Sequence, residues 1–314
     1  MSRFTADRRA PHPNDRQKDA IVLDVKGLTV TSGRKTYLKD VSFTADSGRL
    51  TGVVGLRGSG KTELVRSIMG LIDADEGTIE LAGTELGYGD RQNFGYLPSE
   101  RGGYPRMKVL EQIVYLARLH GMTLGAAEKN AVTLLARLDL SDRAYAQLSH
   151  LSGSEVARVD IAAVLAADPD VVILDEPFDG LDAESAEIVF GLLRDHAESG
   201  VPVLFTTDKW RMAQEHADDL IVLAHGRIIG EGTFDELQGD ERIFAARFAA
   251  PEDAAAAAER LAEAGVDGVA VEDSSISFTA ADEASAADQV RGLAGLRSFG
   301  PRTRDLADLF RESV

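Results

Sequence analysis

Short apolar runs alternate along this chain with longer stretches whose apolar residues recur at helical spacing. Leu50–Val54, Thr78–Leu81, Phe94–Leu97, Val171–Leu174 and Val201–Thr206 have the length and character of strands. Lys61–Leu71, Val109–His120 and Ala126–Leu138 are predicted as helices, and Asp73–Gly77 as the turn after the first of them. Strands alternating with helices predict an α/β fold whose buried strands run parallel. Residues 21 to 98 begin with a β-rich section. Ahead of it, Met1–Ala20 is polar, carries Pro11 and Pro13, lacks the apolar core of a signal peptide, and is expected to be a disordered tail. Past residue 240 the pattern changes. Pro251–Ala264, with the alanine run Ala254–Ala258, reads as a helix, Val269–Val271 and Ile276–Thr279 as strands, and Ala284–Leu293 and Arg304–Arg311 as further helices. That predicts a small α+β domain over 241–314, in which no catalytic cluster is evident.

Composition narrows the classes. A length of 314 residues leaves room for one large domain and a smaller one, and 44% apolar residues suffice for a core. With no cysteine there is neither a disulfide framework nor a thiolate metal site. A net charge of −18 argues against nucleic acid as a partner and against adhesion of the whole chain to an anionic membrane. No apolar stretch approaches the roughly 20 residues that span a bilayer, so a soluble, intracellular chain is expected, with any membrane link made through a partner.

The chemistry concentrates in two blocks. Directly after the run Leu50–Val54 stand Gly55, Leu56, Arg57, Gly58, Ser59, Gly60, Lys61 and Thr62, followed by Glu63, in the phosphate-loop pattern G-x-x-x-x-G-K-[ST]. Glycines let backbone N–H groups turn toward phosphates, and the next helix offers its positive N-terminus. Lys61 reaches the β- and γ-phosphates of a nucleotide, and the Thr62 hydroxyl suits Mg²⁺. The second block holds Leu151, Ser152, Gly153, Ser154 and Glu155, and then the run Val171–Leu174 ending in Asp175 and Glu176. Acids at the C-terminal end of a buried parallel strand lie where ligands of doubly wound sheets bind. Asp175 is the candidate for the Mg²⁺ shell, and Glu176 for polarising an attacking water. The two blocks in this order point to a nucleotide hydrolase.

Their order and spacing resemble the ATP-binding subunits of ABC transporters, over about residues 21 to 240. Leu151 to Glu155 matches the family's signature segment, usually LSGGQ. The resemblance implies a phosphate-loop NTPase core of ABC type, a mixed sheet with a helical subdomain over about 105–165. It implies ATP and Mg²⁺ as cofactors and a second ATP-binding subunit, homologous or identical, as a head-to-tail partner. In that arrangement Ser152 and Gly153 would act in trans on the γ-phosphate held by the other subunit; Ser152 also suits an ordinary helix N-cap. Asp179, Gly180, Leu181 and Asp182 correspond to the family's loop after the catalytic glutamate.

Five departures stand beside these matches. The loop glutamine of the family is replaced by Ser99, with Glu100 next to it. The histidine that contacts the γ-phosphate is replaced by Asp208. The adenine-stacking aromatic falls at Ser32, with Tyr37 near enough to substitute. The signature's second glycine is Ser154, and its glutamine is Glu155. Like charges at about 4 Å repel by several kcal/mol at an effective dielectric near 20. Asp208 must therefore swing away, protonate, or pair with a cation such as Lys209. Two outcomes stay open: a site that binds ATP but turns it over slowly, or ordinary turnover sustained by Glu100 and Asp208.

The C-terminal segment is similar to the small domain of ABC-2-type export ATPases, including the close Asp305–Phe310, and is expected to serve dimerisation or regulation. In the resemblance the loop Glu100–Met107, with Arg101, Tyr104, Pro105 and Arg106, meets a membrane-spanning permease subunit. The chain would then lie in the cytoplasm, peripheral on the inner face of the cell membrane through that permease, coupling ATP to export of a drug, peptide, lipid or ion. The alternatives are a regulatory, mainly ATP-binding subunit of a heterodimeric transporter, and a soluble ABC ATPase without a transporter. One phosphate loop and no sustained heptads speak against the last.

Overall fold

The structure, a computed structural model, describes residues 21–87, 89–100, 102–238 and 243–302. The expected tail Met1–Ala20, Arg101, and the expected helix Arg304–Arg311 lie outside them. The described residues form two compact units. One holds the residues up to Asp208 together with His216–Ile228, and the other holds Lys209–Glu215 and the residues from Ile229 on.

The first unit is built on β3 (Leu50–Val54), β6 (Phe94–Leu97), β7 (Val171–Asp175), β8 (Val203–Thr207) and β9 (Asp219–Ala224). They run parallel in the order β9-β3-β8-β7-β6. Every residue of β3, β7 and β8 is buried, which is why these segments read as continuous rather than alternating apolar runs. A second, antiparallel sheet, in the order β2-β1-β4-β5, joins β1 (Val22–Ser32), β2 (Lys35–Asp46), β4 (Glu76–Leu81) and β5 (Thr84–Glu85). Its inward Leu23, Val25, Leu28 and Phe43 share a core with Leu64 and Ile68 of helix α1 (Lys61–Ile68) and with Val53, Ile173 and Leu204 of the parallel sheet.

Helices α2 (Val109–Leu119), α3 (Leu124–Arg137) and α4 (Gly153–Leu165) pack on one another, and α5 (Ala183–Glu198) packs on β3 and β8. Phe178, Phe190 and Phe205 form one aromatic cluster, with Phe178 and Phe190 stacked at 4.1 Å between centroids. It anchors the segment after Glu176 to the sheet.

Several element ends differ from expectation by one to three residues, β4 starting at Glu76 rather than Thr78 and the helix Glu283–Val290 ending there rather than at Leu293 among them, and two have a plain local cause. Helix α1 stops at Ile68 rather than Leu71, because Gly70 adopts φ +67 and closes the helix: its N–H donates to Ser67 O at 2.9 Å, and Leu71 N–H to Arg66 O at 2.8 Å. Strand β8 begins at Val203 rather than Val201, after Pro202, which has no N–H to give a ladder.

The second unit contains β11 (Ile243–Phe248), α8 (Pro251–Glu263), β12 (Ala270–Glu272), β13 (Ser275–Thr279), α9 (Glu283–Val290) and β14 (Leu296–Arg302), after the earlier α6 (Trp210–His216), β10 (Arg227–Gly232) and α7 (Phe234–Gln238), of which His216 and Arg227–Ile228 fall in the first unit. The antiparallel order β12-β13-β11-β14 with this succession is the split β-α-β topology of ferredoxin-like domains. One sheet face buries Phe244, Ala246, Phe248, Ile276 and Phe278 against Ala254, Ala257, Leu261 and Val290 of the helices. The sheet has four strands where the sequence pattern suggests two.

Candidate nucleotide-binding site

Gly55–Thr62 leaves the buried end of β3 and turns into α1. Gly60 stands at the helix start with φ +109; a side chain there would place its Cβ 2.7 Å from Tyr37 O, so both the backbone and the space require glycine. The turn folds Lys61 back over its own loop. Its side chain is 6% exposed, and its Nζ donates to Gly55 O at 2.6 Å and lies 3.2 Å from Glu176 Oε1. Thr62 Oγ1 donates to Asp175 Oδ2 at 2.9 Å. The two sequence blocks, 113 residues apart at that bond, thus meet side by side.

The acids follow from the parallel register. Asp175 ends β7 opposite Thr206 of β8, whose hydroxyl donates to Asp175 Oδ1 at 2.6 Å and accepts from the Glu176 N–H at 3.0 Å. Both Asp175 oxygens therefore hold hydroxyl donors. Glu176 itself has φ +51, the left-handed region that a non-glycine residue occupies only at a cost of about 1–3 kcal/mol. Burial lifts its carboxyl above the ordinary value; Lys61 draws it back down, and Asp208 pushes it up. Asp208 N–H donates to Glu176 Oε2 at 3.2 Å. Arg57, Gly58, Gly60, Lys61, Thr62, Glu63, Glu176, Asp179 and Asp208 line a cavity of about 210 Å³.

Gly55 and Leu56 meet this cavity through carbonyls that face Lys61. Ser59 is buried beneath the loop. Tyr37 lies beside the cavity, its carbonyl against Gly60 and its ring capped by Lys35 Nζ at 4.4 Å from the centroid, and is not part of the lining. Ser99 is not part of the lining either; it leaves the sheet two residues beyond Leu97, which pairs with Leu174, on the edge that carries Asp175 and Glu176. The cation found on Asp208 is Arg57 of the phosphate loop, with Nε 3.5 Å from Oδ2.

The signature segment stands apart from this cavity. Ser152 caps α4 in a reciprocal capping box: its Oγ accepts from the Glu155 N–H at 3.2 Å, and Glu155 Oε2 accepts from the Ser152 N–H at 2.7 Å. That backbone bond, and Arg143 Nε at 2.7 Å, hold the Glu155 carboxyl below its ordinary range. Ser152 and Gly153 are exposed, and Leu151 is half-buried. Ser154 Oγ lies 2.9 Å from both Asp182 Oδ2 and Ser185 Oγ, joining the start of α4 to the start of α5. Gly180 and Leu181 complete the turn that carries Asp179 from the cavity wall to the Asp182 cap.

Asp182 accepts from the Ser185 N–H at 2.8 Å, and hydrogen bonds from Ser185 and Ser154 lower its pKa from 3.8 to about 2. Its contribution to stability is therefore complete above about pH 3.8 and fades as the pH falls through about 2. Asp182→Ala is expected to lower the thermal unfolding temperature at neutral pH, with a gap from wild type that closes across this acid window. Unfolding scans over pH check this; a gap independent of pH would contradict it.

Sequence reasoning missed Thr206, Arg143 as the partner of Glu155, and Arg57 as the partner of Asp208. Thr206 reads as one more residue of an apolar strand, and the Arg57–Asp208 separation of 151 residues leaves no local signal.

The family model described as "ABC transporter" matches residues 38–179. The uncharacterised ABC transporter ATP-binding protein YhaQ of Bacillus subtilis is 32% identical over 217 residues, which are 69% of this chain and 73% of that protein. The ABC-type transporter ATP-binding protein EcsA of the same organism is 32% identical over 220 residues, covering 69% and 89%. Nod factor export ATP-binding protein I of Burkholderia lata is 33% identical over 213 residues, covering 67% and 70%. A solved ATP-binding subunit of an ABC transporter superposes with a TM-score of 0.64 at 27% identity, over 69% of this chain and 92% of that one. This chain belongs to the ABC transporter ATP-binding proteins, a family of ATP hydrolases. Among the described residues, no helix is long and apolar enough to cross a membrane.

Proposed function

We propose that this chain powers export by a membrane-spanning permease, binding and hydrolysing ATP in a dimer of ATP-binding subunits. The observation that carries the reading is the meeting of Lys61, Thr62 and Glu176 on one cavity, with Asp175 buried behind it and bonded to Thr62. In this reading the loop N–H groups and Lys61 hold the phosphates at the start of α1. Thr62 Oγ1 and Asp175 Oδ2 are adjacent hard oxygen donors that fit Mg²⁺, which when bound would neutralise phosphate charge. Glu176 orients the attacking water and takes its proton; its raised pKa makes it a better base than an exposed glutamate. Ser152 and Gly153, exposed and outside this chain's own cavity, close over the nucleotide of the second subunit.

ATP favours the closed dimer and its loss reopens it, which drives the permease. Export is supported by the relatives named for Nod factor export and by the expected loop after β6. In that loop Tyr104 is half-exposed and packs edge-on against Tyr115 at 5.8 Å. The same reading makes 21–240 the ATP-binding domain, with its helical subdomain over about 105–165, and 241–314 an accessory domain for dimerisation or regulation. It seats the chain on the inner face of the cell membrane through the permease. The test is fractionation: the chain should sediment with membranes only when a permease partner is co-expressed. Membrane retention without any partner would overturn this reading.

A second reading, a mainly ATP-binding regulatory subunit of a heterodimer, is favoured by the carboxylate of Asp208 in the cavity wall. Asp208→His decides between them. If the aspartate limits the site, steady-state hydrolysis should rise by about 10²-fold, the low end of the range for a positioned acid–base group. No change would put the limit at Ser99 or in a missing partner subunit.

A further inference from the structure

The cavity carries more negative charge than a polyphosphate site would be expected to hold. Carboxylate oxygens of Glu176, Asp179 and Asp208 lie within 4.8 Å of one another, and Glu63 adds a fourth acid to the lining. Among the described residues the lining holds two cations, Lys61 and Arg57. Lys61 is already engaged by Gly55 O and Glu176. Asp208 stands at the Glu176 end of the cavity, since its N–H donates to Glu176 Oε2, and the terminal phosphate of a nucleotide would lie at that end. Its carboxylate would therefore meet the most highly charged part of the ligand where water is partly excluded.

The sheet supplies the remedy. Strands β3 and β8 run parallel with Val54 opposite Thr207, and the Gly55 N–H donates to Thr207 O at 3.3 Å. The residue after β8 is thereby laid against the loop after β3. Arg57 Nε reaches Asp208 Oδ2 at 3.5 Å, with the Arg57 side chain 90% exposed and that of Asp208 28% exposed.

We infer that Arg57 is a positioning residue for ATP: it draws the Asp208 carboxylate toward the outer rim of the loop and cancels its charge, so that a third phosphate can enter beside Lys61. The inference rests on the nucleotide reading above and concerns which nucleotide the site prefers. A guanidinium suits the task because it is always charged and presents several donors in a rigid fork. One N–H can hold Asp208 while others face phosphate oxygens. The pairing also explains how an aspartate can stand at this position in a chain that keeps Lys61, Asp175 and Glu176.

The test is a double-mutant cycle read on nucleotide selectivity. Affinities for ATP and for ADP, each with Mg²⁺, are measured on the full chain as wild type, Arg57→Ala, Asp208→Ala and the double variant. Arg57→Ala should weaken ATP roughly tenfold and ADP less than about threefold, with the ATP loss shrinking as salt rises. Adding Asp208→Ala should return ATP affinity to within about threefold of wild type, and Arg57→Lys, which keeps the charge, should retain most of it. ADP binding by each variant reports that the loop has folded. Losses that simply multiply in the double variant, or equal losses for ATP and ADP, overturn the inference and leave the nucleotide reading standing. Failure of the wild-type chain to bind ATP overturns that reading and this inference with it.

Discussion

Lys61→Ala should reduce ATP affinity by at least about 100-fold, the order of loss when one member of a buried charge pair is removed. The lysine is 6% exposed, held over the loop by Gly55 O at 2.6 Å and by Glu176 at 3.2 Å. Without it the cavity keeps, among the described residues, four acids and one cation, Arg57, which is 90% exposed and 3.5 Å from Asp208. Phosphates would then enter against Glu176 with no buried positive charge to offset the repulsion. The fold should survive, because the course of the loop is set by Gly60 and by the register of β3 with β8 rather than by the ammonium group. A nucleotide titration, with circular dichroism as the folding control, checks both parts. Tight ATP binding by the variant would contradict the assignment of this loop.

Glu176→Gln is the second large effect, and it should separate binding from chemistry. Glutamine keeps the size of the side chain and an oxygen that can accept the Asp208 N–H, but it cannot take a proton from water. Hydrolysis should fall by about 10²–10⁴, the range for loss of a general base. ATP binding should hold or tighten, since a negative charge has left the cavity wall. Trapped with ATP, the variant should also run as a dimer in size-exclusion chromatography, whereas ADP leaves it monomeric. Loss of ATP binding in this variant would point to a structural role for Glu176.

Much of this site could be read before any coordinates, because its parts are contiguous. Gly55–Thr62 and the run Val171–Leu174 ending in Asp175 and Glu176 each carry their chemistry within one turn and one strand. Their meeting was inferable from order alone, since parallel strands put successive C-terminal ends on one edge. What could not be read depends on pairs distant in sequence. Thr206 ties Asp175 to Glu176 only because β8 lies beside β7, and Arg57 meets Asp208 only because β8 also lies beside β3.

The second unit was harder for a different reason. In β11 the inward positions are Phe244, Ala246 and Phe248, so a small alanine blurs the alternation that marks a strand. Strand β14 contains Gly300 and Pro301, which argue against a strand anywhere but at a sheet edge, and an edge is where it lies. Helices α8 and α9 were legible, because alanine-rich segments that start with Pro251 in the first turn and with the Asp282 cap carry their signals locally.

The cavity between the phosphate loop and Glu176 is expected to hydrolyse ATP. The most direct test is steady-state ATP hydrolysis by the purified chain, with Glu176→Gln as the control for contaminating activity. Turnover that disappears in the variant is the predicted result. Turnover equal in the two proteins, or none in either while ATP is bound, would contradict the claim.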